Sequence, residues 1–281
     1  MKKRVRFKIY KLVFAYIFFI SSCSVNVLDG LASKTSDEYL IEEAIKANNA
    51  ENYDLAITII TTKISSTGQQ LVQVKELLAG AYAGKCGLNF AEYATSFMET
   101  VSTAPFKIMM TPFVGALTDV DYCKLALTKM ESIGSSAQRT ANQNTFVAIL
   151  GLALMGTALR QYADIAPALG DGTADVNLCV AGVTDSQIED VIIGFGYFTL
   201  NISYVSASLL GSSSFTALNN ISALCTVNAG ASCSTTDPTT LDPVARAALI
   251  VFFRRLVNTS QYGIGVYDIA GNDANIVNAC N

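Results

Sequence analysis

Phe146 to Leu159 is the most apolar run in the chain beyond its first two dozen residues, and it limits the possible folds more than any other feature. At fourteen residues it is longer than an ordinary strand, yet short of the roughly 20 that a membrane-crossing helix needs. Gly151 and Gly156 stand inside it. The expectation is a helix buried on all sides, which requires neighbouring elements with apolar faces of their own.

The rest of the chain supplies such faces at helical spacing. Ser36 or Asp37 can cap a helix carrying Tyr39, Leu40, Ala44 and Ala47. A turn at Asn48–Asn52 precedes the stripe Tyr53, Ala56, Ile57, Ile60 and Ile64, which ends at Ser65–Gly68. Further helices are expected over about Gln69 to Gly84, Asn89 to Thr100 and Asp119 to Ile133. The apolar run lies in a helix capped by Ser135 or Ser136 and reaching about Ala166. Asp185 is then expected to cap a helix reaching about Leu210, and Pro243 to open one through Val257. Residues 168–184 and 211–240 read as loops rich in small and polar residues, and Asp171-Gly172 with Asp175 as a turn rather than a calcium loop. No alternating strand pattern persists. The expected fold class is all-α, built from antiparallel helical hairpins.

Histidine and tryptophan are absent. Without histidine there is no Ser-His-Asp or Cys-His catalytic set and no histidine-bearing zinc site. Neither a serine three residues before a lysine, nor a G-x-S-x-G, P-loop or C-x-x-C motif, occurs. Gly194-Phe195-Gly196 lacks a third glycine and reads as close helix packing. Asp119 with Asp121, and Glu189 with Asp190, read as helix-start carboxylates favoured by the helix dipole. No catalytic residue, metal site or cofactor is expected, and the chain is read as a non-enzyme.

Lys2, Lys3, Arg4, Arg6, Lys8 and Lys11 precede the apolar stretch Leu12–Ile20, the layout of an export signal. Nine helical residues span only about 14 Å, against a bilayer core of about 30 Å. The stretch closes on Ile20-Ser21-Ser22-Cys23, which resembles the lipobox of bacterial lipoproteins. That resemblance implies cleavage before Cys23, a diacylglycerol on its sulfur and an acylated new amino terminus, holding the protein on a membrane through several acyl chains. Ser24 occupies the place where Asp retains lipoproteins in the inner membrane of enteric bacteria, so the implied location is the outer membrane facing the periplasm.

The expected organisation is a signal peptide at 1–22, a lipid-anchored tether at 23–35 and one helical domain at 36–281. Removing the six basic residues of the signal leaves thirteen basic against twenty-three acidic residues, about −10 in all. Such a balance argues against nucleic acid as a partner. The adjacent pair Arg254-Arg255 reads as a solvated helix face.

With Cys23 set aside for lipid, Cys86, Cys123, Cys179, Cys225, Cys233 and Cys280 remain. An even count in an exported chain suggests disulfides, and six cysteines allow 15 pairings. The short separation of Cys225 and Cys233, in what reads as a loop, makes them the first candidate pair. Sequence order offers Cys86 with Cys123 and Cys179 with Cys280. The alternative for a residue such as Cys86 is a free, buried thiol.

Tyr53-Asp54-Leu55-Ala56 resembles the aromatic-x-x-Ala start of the second helix of a tetratricopeptide repeat, and Leu78-Ala79 with Tyr82 resembles the Leu-Gly-x-x-Tyr of its first helix. The resemblance covers residues 36–100. It lacks the repeat's Trp and its closing Pro. What it implies is a helical scaffold whose grooves bind another protein of the envelope. The alternative ligand is a small apolar or lipid molecule held in the helical core.

Overall fold

The computed structural model describes residues 35–268, except 91, 94, 96–103, 114–117, 166–169, 180–181, 207–211 and 230–232, together with 276 and 278–280. The signal peptide, Cys23 and nearly all of the tether lie outside the described residues. Among the described residues there are nine α-helices and no strand: α1 (Asp37–Asn49), α2 (Tyr53–Thr58), α3 (Val72–Lys85), α4 (Pro105–Met110), α5 (Val120–Glu131), α6 (Ala141–Tyr162), α7 (Asp185–Asn201), α8 (Ser212–Ala229) and α9 (Pro243–Asn258). The fold is all-α.

Side chains at the helix starts explain most of the boundaries. Ser36, Asn52 and Asp119 accept backbone N–H groups at the starts of α1, α2 and α5, and Asp242 does so for α9 with Pro243 at its first position. Thr140 with Gln143, and Thr184 with Gln187, form reciprocal capping boxes on α6 and α7. This corrects two expected caps. Ser135 and Ser136 belong to the turn before α6, where Gln138 and Arg139 donate back to the Ser135 carbonyl, and Asp185 is the first helical residue of α7 rather than its cap.

Three further boundaries differ from expectation. Residues 212–229, read as loop from their Ser, Thr and Asn content, form α8; Leu218, Ile221, Cys225 and Ala229 recur on its buried face. α4 occupies a stretch with no expected helix, and Pro105 opens it. α7 ends at Asn201 in a 3₁₀ turn, Ile202–Tyr204, instead of continuing to Leu210. Of the helix expected over Asn89 to Thr100, residues 96–100 lie outside the described residues; Phe90, Glu92, Tyr93 and Thr95 are helical.

α6 is the centre of the protein. Its length and composition would allow a membrane crossing, yet from Val147 to Arg160 every residue is buried inside the fold by α4, α5 and α7. Gly151 lets it approach α7 and Gly156 lets it approach the backbone of Met109 in α4. Across α7 the packing continues through Phe195, whose ring meets that of Phe253 on α9 edge-on at 5.5 Å.

α1, α2 and α3 pack as consecutive hairpins with two small apolar clusters between them. Ala47, Ala56 and Ala81 meet where the three helices come closest, and the Tyr53 ring lies against Gly84. α2 widens after Thr58 into a π-helical stretch, Ile59–Lys63. Asp37 accepts from the Ser65 backbone at 2.8 Å and also binds its hydroxyl, fastening the end of that stretch to the start of α1.

Candidate functional site

The six cysteines after Cys23 stand in three pairs at disulfide distance. Cys86 at the end of α3 meets Cys123 on α5, with Cα atoms 5.0 Å apart. Both sulfurs are buried and lie 3.6 and 3.7 Å from the Thr157 hydroxyl on α6. Cys225 on α8 meets Cys233, with Cα atoms 6.1 Å apart. Cys225 is therefore helical and buried, not part of a loop. Cys179 meets Cys280 across a sequence separation of 101. There Asn258 at the end of α9 donates to the Cys179 sulfur at 3.1 Å and to the Ala279 carbonyl at 2.5 Å, holding both sides of the cross-link.

Two readings of charged residues are corrected. Asp119 does cap α5 and Asp121 lies in its first turn, but Glu189 and Asp190 sit beyond the first turn of α7 and are buried. They tie α7 to two different neighbours: Glu189 pairs with Arg246 on α9, and Asp190 pairs with Lys124 on α5 at 3.1 Å while accepting from the Tyr162 hydroxyl. Burial pushes the Asp190 carboxyl above its ordinary range, and Lys124 pulls it partway back. Arg254 is not on a solvated face. Its side chain is only 13% exposed and donates to the carbonyls of Leu178 and Val183 and to Asp185 at 2.7 Å, clamping the loop around Cys179 to α9.

The other motifs are structural as well. Gly194 and Gly196 admit close backbone contacts, with α6 and with Thr235 respectively. Asp171 accepts from the Thr173 backbone, closing the turn in which Gly172 takes a positive φ.

Among the described residues, two depressions stand out as candidate sites. The first, about 390 Å³, lies where α5 and α7 end, and its lining includes Glu131, Ser135, Ser136, Arg139, Tyr197 and Asn201. Arg139 donates to the Gly134 carbonyl at 2.7 Å, to Asn144 at 2.9 Å and, at 3.4 Å, to Asn201. Burial lowers the pKa of its guanidinium. On the other wall the Tyr197 hydroxyl binds the Glu131 carboxylate and the Thr236 side chain; burial first, then Glu131, raises the pKa of its phenol well above the ordinary value.

The second depression is a groove of about 270 Å³ between α8 and α9, lined by Asn228, Ala247, Ala248, Val251, Phe252, Arg255 and Ile276. Val244, Ala247, Ala248, Val251 and Arg255 recur at three- and four-residue steps, giving α9 an outward apolar stripe besides the one facing the core. Val251 is 44% exposed, Val244 on the same stripe is 78% exposed, and Val227, which precedes Asn228 on α8, is 82% exposed. Among the described residues the buried Nε of Arg255 has no hydrogen-bond partner.

Neither depression was expected from the sequence. Arg139 is the only basic residue between Lys129 and Arg160, a lone cation between two helices, and that was the available signal. The class these features define is an all-α protein with three cysteine pairs at disulfide distance, a polar cleft and an apolar groove. No protein-family model matches the chain, and neither a curated protein nor a solved structure is significantly similar to it.

Proposed function

We propose that this protein is a lipid-anchored docking protein of the bacterial envelope, held on the membrane through Cys23 and binding another envelope protein in the α8–α9 groove. The observation that carries the docking half is Arg255. Its partly exposed guanidinium stands in a groove lined by Ala247, Ala248 and the exposed Val251, an arrangement that favours a partner bringing an apolar surface and a carboxylate together. The occupant we assign is an apolar segment of an envelope protein bearing an Asp or Glu side chain opposite Arg255.

The anchoring half rests on the basic and apolar start of the chain and on Ile20-Ser21-Ser22-Cys23. Three cysteine pairs at disulfide distance accord with an oxidising compartment such as the periplasm. The contacts of Tyr53 with Gly84 and of Ala56 with Ala47 and Ala81 support reading α1–α3 as a tetratricopeptide-like unit.

The test is photo-crosslinking in intact cells from a reactive residue placed at Val251, followed by identification of the adduct. A single defined envelope protein, lost on Arg255→Glu and recovered when its acidic residue is changed to Lys, is the expected result. Unchanged adducts in the Arg255→Glu protein would overturn the assignment of the groove. Cys23→Ala is expected to release the protein from the membrane fraction, and unaltered fractionation would overturn the anchor.

A further inference from the structure

We propose that the polar cleft between the ends of α5 and α7 binds a small zwitterion, an amino acid or a dipeptide, with its carboxylate on Arg139 and its ammonium on Glu131. This does not depend on the docking role of the α8–α9 groove, because the cleft is built from other residues.

Size excludes bulky ligands, and the charged groups in the lining favour a small polar one. A volume of about 390 Å³ lies at the small end of ligand pockets, and most of the lining residues carry a polar group. The two formal charges have opposite signs. A lone anion would meet Glu131 and a lone cation would meet Arg139, whereas a molecule carrying both charges complements the pair.

Each charged group is positioned by the fold and keeps binding capacity. A guanidinium has five N–H donors. Arg139 uses three among the described residues, on Asn144, Gly134 and Asn201, so its plane is fixed while two donors remain. Glu131 is steadied by the Tyr197 hydroxyl, and a carboxylate accepts several bonds. Glu131 is the last residue of α5, and Asn201 the last of α7. Two helix C-termini thus converge on the cleft, and their partial negative charge favours an ammonium group there. The Thr236 wall is kept in place by the Cys225–Cys233 pair three residues upstream and by Gly196, where only a glycine lets the Thr235 backbone rest on α7. Leu200, half exposed at the rim, offers apolar contact to a ligand side chain.

The experiment is isothermal titration of the full chain in detergent with each of the twenty amino acids and with Ala-Ala. N-acetylalanine and alaninamide serve as probes missing one charge each. Saturable binding of at least one zwitterion is expected, weakened about tenfold or more when either of its charges is removed, the size of one charge-assisted hydrogen bond. Arg139→Lys should weaken binding by a similar factor because it loses the fork. Arg139 also braces the turn before α6, so Leu200→Trp, which fills the cleft from its exposed rim, provides the second variant and should abolish binding. No saturable binding of any zwitterion up to about 10 mM would overturn the proposal. So would equal binding of N-acetylalanine, or undiminished binding by the Leu200→Trp protein.

Discussion

Gly151 on α6 and Gly194 on α7 occupy each other's side-chain space: a methyl on Gly151 would stand 2.5 Å from the Gly194 carbonyl oxygen, and one on Gly194 would stand 2.6 Å from that of Gly151. Neither backbone can withdraw without parting the two helices. Gly151→Ala is therefore expected to lower stability by about 1–3 kcal/mol despite alanine's better helix propensity. Gly80→Ala on α3 is the control, because its new methyl would meet nothing closer than 3.7 Å and should raise stability by about 0.5–1 kcal/mol. Urea unfolding of both variants checks the pair; a Gly151→Ala protein as stable as the parent would contradict the contact.

The cysteine pairs make a chemical prediction. Protein purified from an oxidising compartment should show no titratable thiol among the six cysteines before reduction and six after it. Six free thiols at the outset would refute the pairing. Removing both Cys179 and Cys280 should cost the most, about 4.7 kcal/mol for a loop of roughly 100 residues, and removing both Cys225 and Cys233 about 2.5 kcal/mol for a loop of 8. Denaturant midpoints of the two double variants give the order.

Arg254 yields a test of the clamp on the Cys179 loop. Arg254→Ala should destabilise by about 2–3 kcal/mol, since it strands two carbonyls and Asp185, and Arg254→Lys should recover little because an ammonium cannot span all three acceptors. Hydrogen exchange of residues 176–185 is the readout. Unchanged protection there in the alanine variant would show that the loop is held by other contacts.

Asp190 and Asp37 should give opposite pH dependences. Burial raises the Asp190 carboxyl, so the folded form keeps its proton where the unfolded chain has lost it; its stabilising contribution is complete below about pH 4 and is lost as pH rises through the raised value. Relative to the parent, Asp190→Asn should therefore gain stability between about pH 3 and pH 7. Asp37 is lowered by its bonds to Ser65, so its contribution is present above the ordinary carboxylate value and is lost as pH falls through the lowered one. Unfolding series across that range, with Asp37→Asn alongside, would expose a wrong sign in either.

The sequence announced those elements whose local chemistry and apolar period agree. α1, α5 and α9 have an oxygen-bearing cap followed by an apolar stripe, and their ends fall within a residue or two of expectation. α8 was obscured because Ser, Thr and Asn are modest helix formers that favour loops; its helix is fixed by the tertiary burial of Leu218, Ile221 and Cys225. The cap of α6 was misplaced because Ser135 and Thr140 carry the same signal, each with a Gln three residues on; Gln138 accepts from the Ser135 backbone in the preceding turn, while Thr140 and Gln143 form the reciprocal box on the helix itself. Arg254 reads as part of a solvated face and Glu189 as a helix-start carboxylate because a sequence carries no record of which loop or helix will pack across them. The same holds for the polar cleft, whose lining comes from residues up to about 105 positions apart and meets only when α5, α7 and the segment after Cys233 come together.

The placement of the cross-links has a mechanical meaning. Cys86–Cys123 lies wholly before the end of α6, while Cys179–Cys280 and Cys225–Cys233 lie wholly after it. Among the described residues no covalent bond other than the backbone itself bridges the two portions, and α6 meets α7 along a seam of glycines and packed side chains. Tension applied between the amino-terminal end and a load seated on α9 would pass through that seam. Parting the two helices would leave each portion closed by its own sulfur bridges.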